Sequence, residues 1–498
     1  MGHSVLCSEL QFVASFLQSN ISKNSLRTVL LQLECHFTWT LLKDDVDLDN
    51  LEETICDQIE FLTTKSKLSN YNLLAYVKHM RGNSEEALES LQKAEGEVQT
   101  NHADEVDRKS LVTWGNYAWV YYHMNKLQEA QSYIGKVESS CKKLSRASCY
   151  KIHLPEIYCE QGWALLKFGI KYYERAKKCF EKALEEEPNN PEFNSGYAIA
   201  IYRLEDFLTK GSSGEDSSLE PLRRAVRLNP NDTFVMALLA LKLQDIDQVK
   251  EGEKYIKEAL QKTPDLPYLL RYAAKFYRRK GLVEKSLGFL KKALEFTPTS
   301  GFLHHQIGLC YRTQLFKMKK ATKYPPREQM EELIRFGIFH FKMVVEQKSK
   351  FMYAYIDLAS MYAEGNQYQE AEDTFQKVFK MEKLTCEEKQ QLHYRYGRFQ
   401  EYHKKSESEA INHYTKGLKI EKNSHERNLC KDALKKLIER RIQRGAADAK
   451  NFSILGLIHQ LNGEKPQAIG CYEKALALEP DNEEYLCALC DIQLSKEI

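Results

Sequence analysis

Apolar residues along this chain recur every three or four positions, the period of a helix with one buried face. Small residues punctuate that pattern at fixed places. Near the C-terminus Gly456, Ala468 and Ala475 alternate with Tyr472 and lead to Pro480. The same order returns as Ala274, Tyr277, Ser286, Leu290, Ala293 and Pro298, and again as Ala359, Tyr362, Ala371, Phe375 and Val378. Less regular copies run through Leu74, Ala75, Gly82, Ala87 and Ala94, through Trp114, Ala118, Tyr121 and Ala130, and through Ala240, Gly252, Ile256, Ala259 and Pro264. Ala176, Phe180, Ala183 and Pro188 form a second helix whose partner carries Trp163. Gly397, Ala410 and Tyr414 fit with one inserted residue, and Gly308 and Tyr311 pair with Gly337, Phe341 and Val344 across extra residues. Each copy predicts two antiparallel helices that approach at the small residues, with bulky ones filling the gaps.

A period of about 34 residues with this order is that of the tetratricopeptide repeat. The fold expected is all-α: a tetratricopeptide-repeat superhelix of about nine or more hairpins, because one hairpin cannot bury its apolar face alone. Residues 1–21 fit no repeat and read as an N-terminal extension. The remainder divides into an N-terminal sub-bundle (22–245), central repeats with a basic insertion (246–333) and a C-terminal sub-bundle (334–498). The polar, Gly/Ser-rich stretch from Thr209 to Ser218 and the basic segment from Lys317 to Arg327, with its Pro325-Pro326 break, mark interruptions of the array.

Composition narrows the partners. The 498 residues carry a formal net charge of only +2, so a phosphate-binding surface must be a local positive cavity rather than a basic coat. No window is apolar enough to span a membrane, and the start lacks the basic region of a secretory signal. Leu6 stands where N-myristoylation after Gly2 would want Ser or Thr. The 13 cysteines are scattered through helical patterns, as reduced thiols are. A cytoplasmic location without membrane attachment is expected.

Catalytic signatures do not emerge: there is no P-loop, no HExxH and no nucleophile elbow. Asp45, Asp47 and Asp49 imitate the start of a calcium loop. Asn50 replaces its glycine, however, and Cys56 its glutamate, so these acids read as the N-terminus of a helix. Cys487 and Cys490 form a lone CxxC without a second pair. The chain is expected to be no enzyme and to need no cofactor or resident metal. One helix is more informative. Tyr268, Arg271, Lys275 and Arg278, with Tyr272 beside them, alternate aromatic and cationic groups on one side of a first helix. Guanidinium groups bind phosphate bidentately and tyrosine rings stack on bases, so this face suits a charged, partly planar ligand. Phe302, His304, His305 and Gln306 add to it from the next first helix, and Lys167 and Arg203 from earlier ones.

The stretches LECHFTW (Leu33 to Trp39), LVTWGNYAWVYYHM (Leu111 to Met124), GWALLKFG (Gly162 to Gly169), RYAAKFYRRKG (Arg271 to Gly281), FLHHQIGLCYR (Phe302 to Arg312) and YGRFQEYHKKSE (Tyr396 to Glu407) closely resemble the interferon-induced proteins with tetratricopeptide repeats. The likeness runs from about residue 22 almost to the end, and the chain looks most like the member numbered five, associated with 5′-triphosphate RNA. The resemblance implies an antiviral protein that holds single-stranded viral RNA by its phosphorylated 5′ end, with other family members as further partners. It would place Thr54, Gln58, Lys167, Tyr173 and Arg203 around the triphosphate. Tyr268, Arg271, Tyr272, Lys275, Arg278, His305 and Gln306 would meet the terminal phosphates and first nucleotides. Trp163, Phe302 and Phe351 would shape the base path, and Lys320 would lie along the exit. At Asn50 the similar member carries an acidic residue, so no bridging metal is carried over. The family's cap-binding member shares Trp163 but has arginine at Thr54 and a bulky aliphatic residue at Ala200, which favours triphosphate over capped ends. Two other readings remain open: a binder of capped RNA lacking ribose 2′-O-methylation, and a tetratricopeptide scaffold that grips peptides.

Overall fold

The computed structural model describes residues 23–61, 67–144, 150–208, 217–322, 324–382 and 384–494. The expected N-terminal extension and most of the Gly/Ser-rich loop lie outside them. Among the described residues the chain is helical, with no strand. Successive helices pair as the small-residue pattern predicts: Lys67–Met80 with Ser84–Asn101, Leu111–His123 with Leu127–Leu144, Pro155–Lys167 with Tyr173–Glu186, and Thr233–Asp245 with Val249–Lys262. Further along, Gly301–Ala321 pairs with Arg327–Gln347, Met352–Glu364 with Tyr368–Phe379, Cys386–Tyr402 with Glu407–Lys419, and Ala449–Leu461 with Lys465–Leu478.

The hairpins close because a glycine in one helix receives an aromatic ring from the other. A Cβ on Gly456 would lie 2.8 Å from the Tyr472 ring, and one on Gly308 or Gly397 would lie 2.6 Å from Phe341 or Tyr414. Those rings are almost wholly buried. Where serine takes the small position, its hydroxyl also joins the helices: Ser286 Oγ donates to the Ala274 carbonyl at 2.8 Å. The turns inside the hairpins need a left-handed residue. Gly281 supplies it at φ 87°, and Asn125, Asp247 and Asn366 supply it near 60°.

The chain divides into two compact units, the first ending at Tyr272 and the second beginning at Ala273, inside the helix Pro267–Arg279. The expected division had four segments, and this break falls inside the central one, 246–333. The first unit has its main core between Leu26 and Leu243, with a small separate cluster of Leu68, Ala94 and Val98. The second has cores around Phe341 and Phe375, around Tyr414 and Leu437, and around Tyr472 and Tyr485. The basic insertion is less of a break than expected. Its first five residues extend the helix Gly301–Ala321, and the extra length appears as two helices of 21 residues each. Lysine, methionine and alanine there are strong helix formers, and the chain turns only as it nears Pro325 and Pro326.

Candidate nucleic-acid interface

In the first unit the helices Pro155–Lys167 and Pro191–Leu208 bring two cations together. Lys167 sits on the last turn of one, and Arg203 donates through Nη1 to the Leu166 carbonyl at that helix's end, at 2.8 Å. The Arg203 guanidinium lies 5.7 Å from the centre of the Tyr173 ring. Lys167 Nζ donates to Asn70 Oδ1 at 2.5 Å. Burial, reinforced by the Arg203 charge, brings the Lys167 ammonium down to about 7, with the Glu160 carboxyl pulling the other way. Glu160 stands two helical turns before Lys167. Burial pushes it up to about 7 despite a hydrogen bond from Asn72 Nδ2 at 2.9 Å. Beside them Asn116 Nδ2 meets His36 Nδ1 at 3.1 Å, and burial with the Lys167 charge lowers His36 to about 3.

This buried polar layer of His36, Asn70, Asn72, Asn116 and Glu160 was not anticipated. The pattern Asn70-x-Asn72 in an apolar helix was the available sign, because polar groups in such a place need partners.

On the same unit Tyr268, Tyr272 and Phe234 form a ring cluster with centroids 4.9 to 5.4 Å apart. Arg271 lies over Tyr268, 5.4 Å from the ring centre. Burial and the neighbouring Tyr268 push the Tyr272 phenol up, while the charges of Arg203 and Arg271 oppose this. Arg203, Arg271 and Tyr272 therefore share one electrostatic environment. The helix Leu48–Phe61 adds Thr54 and Gln58, one turn apart, and Asp57, whose raised pKa from burial and Glu53 is opposed by Arg271. The Thr54 hydroxyl donates to the Asn50 carbonyl at 2.8 Å. Asp47 accepts from the backbone amides of Asp49 and Asn50, so this acid caps the helix as expected.

Trp163 is half-buried, with its ring edge-on to Phe180 at 5.4 Å, so it is part of a packed wall. Ala200 is fully buried.

In the second unit Lys275 and Arg278 are half-buried, and Arg278 Nη2 donates to Gln306 Oε1 at 3.1 Å. His305 Nε2 meets Asp357 Oδ2 at 3.0 Å, and Arg312 pairs with the other oxygen of the same carboxylate. Burial would raise Asp357, but Arg312 and His305 hold it below the usual carboxylate range. Phe351 stands edge-on to His305 at 5.1 Å, and Phe302 is 42% exposed, which gives a base surface to rest on. Lys320 lies on an exposed turn beside Arg312, Arg395 and Arg398.

The tetratricopeptide-repeat family matches residues 155–190 and 449–482. Human protein IFIT1 homolog B is 53% identical over 91% of this chain and 96% of its own length. Human interferon-induced protein with tetratricopeptide repeats 2 is 44% identical over 92% of this chain and 97% of its own. The chain belongs to the interferon-induced proteins with tetratricopeptide repeats. Within that family, human antiviral innate immune response effector IFIT1 is 51% identical over 94% of this chain and 98% of its own. The solved human IFIT1 dimer with PPP-AAAA matches with a TM-score of 0.79 at 51% identity, covering 92% of this chain and all of that one. A monomeric IFIT1 mutant with Gppp-AAAA matches at 0.84 and 51% identity, over 91% of this chain and 100% of that chain. These relatives carry the names of family members one and two, not of the member numbered five. No described helix is long and apolar enough to cross a membrane.

Proposed function

We propose that this protein is an innate antiviral effector that captures single-stranded RNA by a 5′-triphosphate end, without reading sequence, and so sequesters non-self RNA. The observation that carries this is the pair Lys167 and Arg203 at the end of the helix Pro155–Lys167, with the Arg203 guanidinium over Tyr173. Two like charges brought this close gain from an anion between them. A triphosphate supplies several acceptor oxygens for such charge-assisted hydrogen bonds. IFIT1, half identical in sequence, has been solved with PPP-AAAA. We assign Thr54, Gln58, Lys167, Tyr173 and Arg203 to the triphosphate. Tyr268, Arg271, Tyr272, Lys275, Arg278, His305 and Gln306 are assigned to the terminal phosphates and first nucleotides, and Trp163, Phe302, Phe351 and Lys320 to the RNA path. The protein acts by binding rather than catalysis, in the cytoplasm, on viral RNA, and with other family members as partners.

A second reading has an observation of its own. Trp163 is only half-buried, and IFIT1 has also been solved with Gppp-AAAA. Thr54 still favours the triphosphate, because it brings no positive charge toward a cap, and this residue supports a place beside the member numbered five. One RNA carrying triphosphate, monophosphate, hydroxyl or unmethylated cap ends decides between them. Triphosphate RNA is expected to bind best, with log affinity falling against log salt by about 0.7 per phosphate neutralised. Equal binding of triphosphate and hydroxyl ends at matched salt would sink the proposal. A win for the capped RNA would move the assignment to the second reading.

A further inference from the structure

The helix Lys67–Met80 carries two buried asparagines, Asn70 and Asn72, among the buried apolar residues Leu68, Leu73, Leu74, Ala75 and Val77. A buried carboxamide costs free energy unless its polar atoms are bonded. Asn72 meets Glu160. Asn70 is only 3% exposed, and its Oδ1 accepts from Lys167 Nζ at 2.5 Å. The helix Lys67–Met80 also packs against Leu48–Phe61, the helix of Thr54 and Gln58. Asn70 therefore ties the last turn of Pro155–Lys167 to the element that stands beside Thr54 and Gln58. The charged and titratable groups around the ammonium are Arg203 from Pro191–Leu208, Glu160 from its own helix, and His36, which burial keeps neutral by lowering it to about 3.

We propose that Asn70 is a positioning residue, which holds the Lys167 ammonium in place for a phosphate oxygen without cancelling its charge. The inference rests on the RNA-binding reading above and adds a residue that reading does not use. The physical reasons are three. A lysine ammonium ends a flexible four-carbon stem, and the like charge of Arg203 beside it pushes it away, so it needs an anchor. A carboxylate at position 70 would anchor it but neutralise the charge that attracts phosphate, and an aliphatic residue would leave the charge without an anchor. The carboxamide does the one without the other. An ammonium has three N–H donors, and Asn70 takes one of them, which leaves donors for phosphate oxygens.

The test uses the full chain and one RNA with a 5′-triphosphate or a 5′-hydroxyl end. Trace acetylation across pH, read by mass spectrometry, follows the titration of Lys167 itself in the protein without RNA. Asn70→Leu is expected to weaken triphosphate RNA on the order of tenfold at pH 7 and to leave hydroxyl RNA unchanged. It should also move the Lys167 midpoint down, because the charged form loses an acceptor. Asn70→Asp should move that midpoint up, because an opposite charge favours the ammonium. It should nonetheless weaken triphosphate RNA and lower its salt slope by about 0.7, one phosphate's worth. Loosened packing does not shift one lysine in opposite directions, so the pair of variants separates positioning from a structural role. Equal losses for both RNAs, an unchanged triphosphate affinity in Asn70→Leu, or a Lys167 midpoint unmoved in both variants would overturn the proposal. If triphosphate and hydroxyl ends bind the unaltered chain equally, the 5′-end reading fails, whereas the midpoint still reports whether Asn70 holds Lys167.

Discussion

Arg203→Ala is expected to weaken binding of 5′-triphosphate RNA by a factor of about 10 to 150, the loss of one charge-assisted hydrogen bond at about 1.5–3 kcal/mol. The side chain does two things in the free protein. It presents its charge beside Lys167, and it closes the end of the helix Pro155–Lys167 through the Leu166 carbonyl. The second contact is an ordinary hydrogen bond, so its removal should cost about 0.5–1.5 kcal/mol of stability. Binding and thermal melting therefore need to be measured on the same variant. A large loss of affinity with a small shift in melting supports the pocket. Early melting with affinity unchanged for the molecules still folded would make Arg203 a structural residue only.

Affinity for triphosphate RNA should fall on the order of tenfold between pH 7 and pH 8.5, as one bound proton becomes harder to supply. The sign follows from Lys167. In the free protein its ammonium titrates at about 7, so above that pH the site is increasingly neutral. A bound phosphate restores the charged form, and binding must then take up a proton. Glu160, also near 7, acts in the same direction, because its ionisation places negative charge near the site. The terminal phosphate itself loses its last proton near pH 6, so the comparison is cleanest above 7. Lys167→Met should flatten the profile and weaken binding most at pH 7. Isothermal titration in buffers of different ionisation enthalpy measures the proton uptake directly. A flat profile in the unaltered protein would remove Lys167 from the phosphate site.

The same linkage has opposite consequences for folding. Glu160 titrates higher in the folded chain than in the unfolded one, so the stability it contributes is full below about 4.5 and is lost as pH rises through about 7. Lys167 titrates lower when folded, so it disfavours the fold below about 7 and ceases to do so towards its unfolded value of 10.5. The two effects fall in different windows, Glu160 between about 4.5 and 7 and Lys167 between about 7 and 10.5, so from pH 7 to 8.5 stability should rise while affinity falls.

The helical pairs and their register were readable directly from the residues. Gly456 against Tyr472 and Ala274 against Ser286 are spaced by the repeat itself, and helix geometry turns that spacing into contact. The face of Tyr268, Arg271, Lys275 and Arg278 was readable for the same reason, since residues three or four apart share a side of a helix. Other features needed the folded chain. Whether a cation is already paired depends on residues far away in sequence: Arg312 meets Asp357, Arg203 meets the Leu166 carbonyl, and Arg395 is left with an unmet N–H. The lowered pKa of Lys167 likewise comes from burial and from Arg203 on another helix. Helical periodicity is a local property carried by each segment. Burial and charge pairing arise where separate segments meet, so they appear only once the helices have packed.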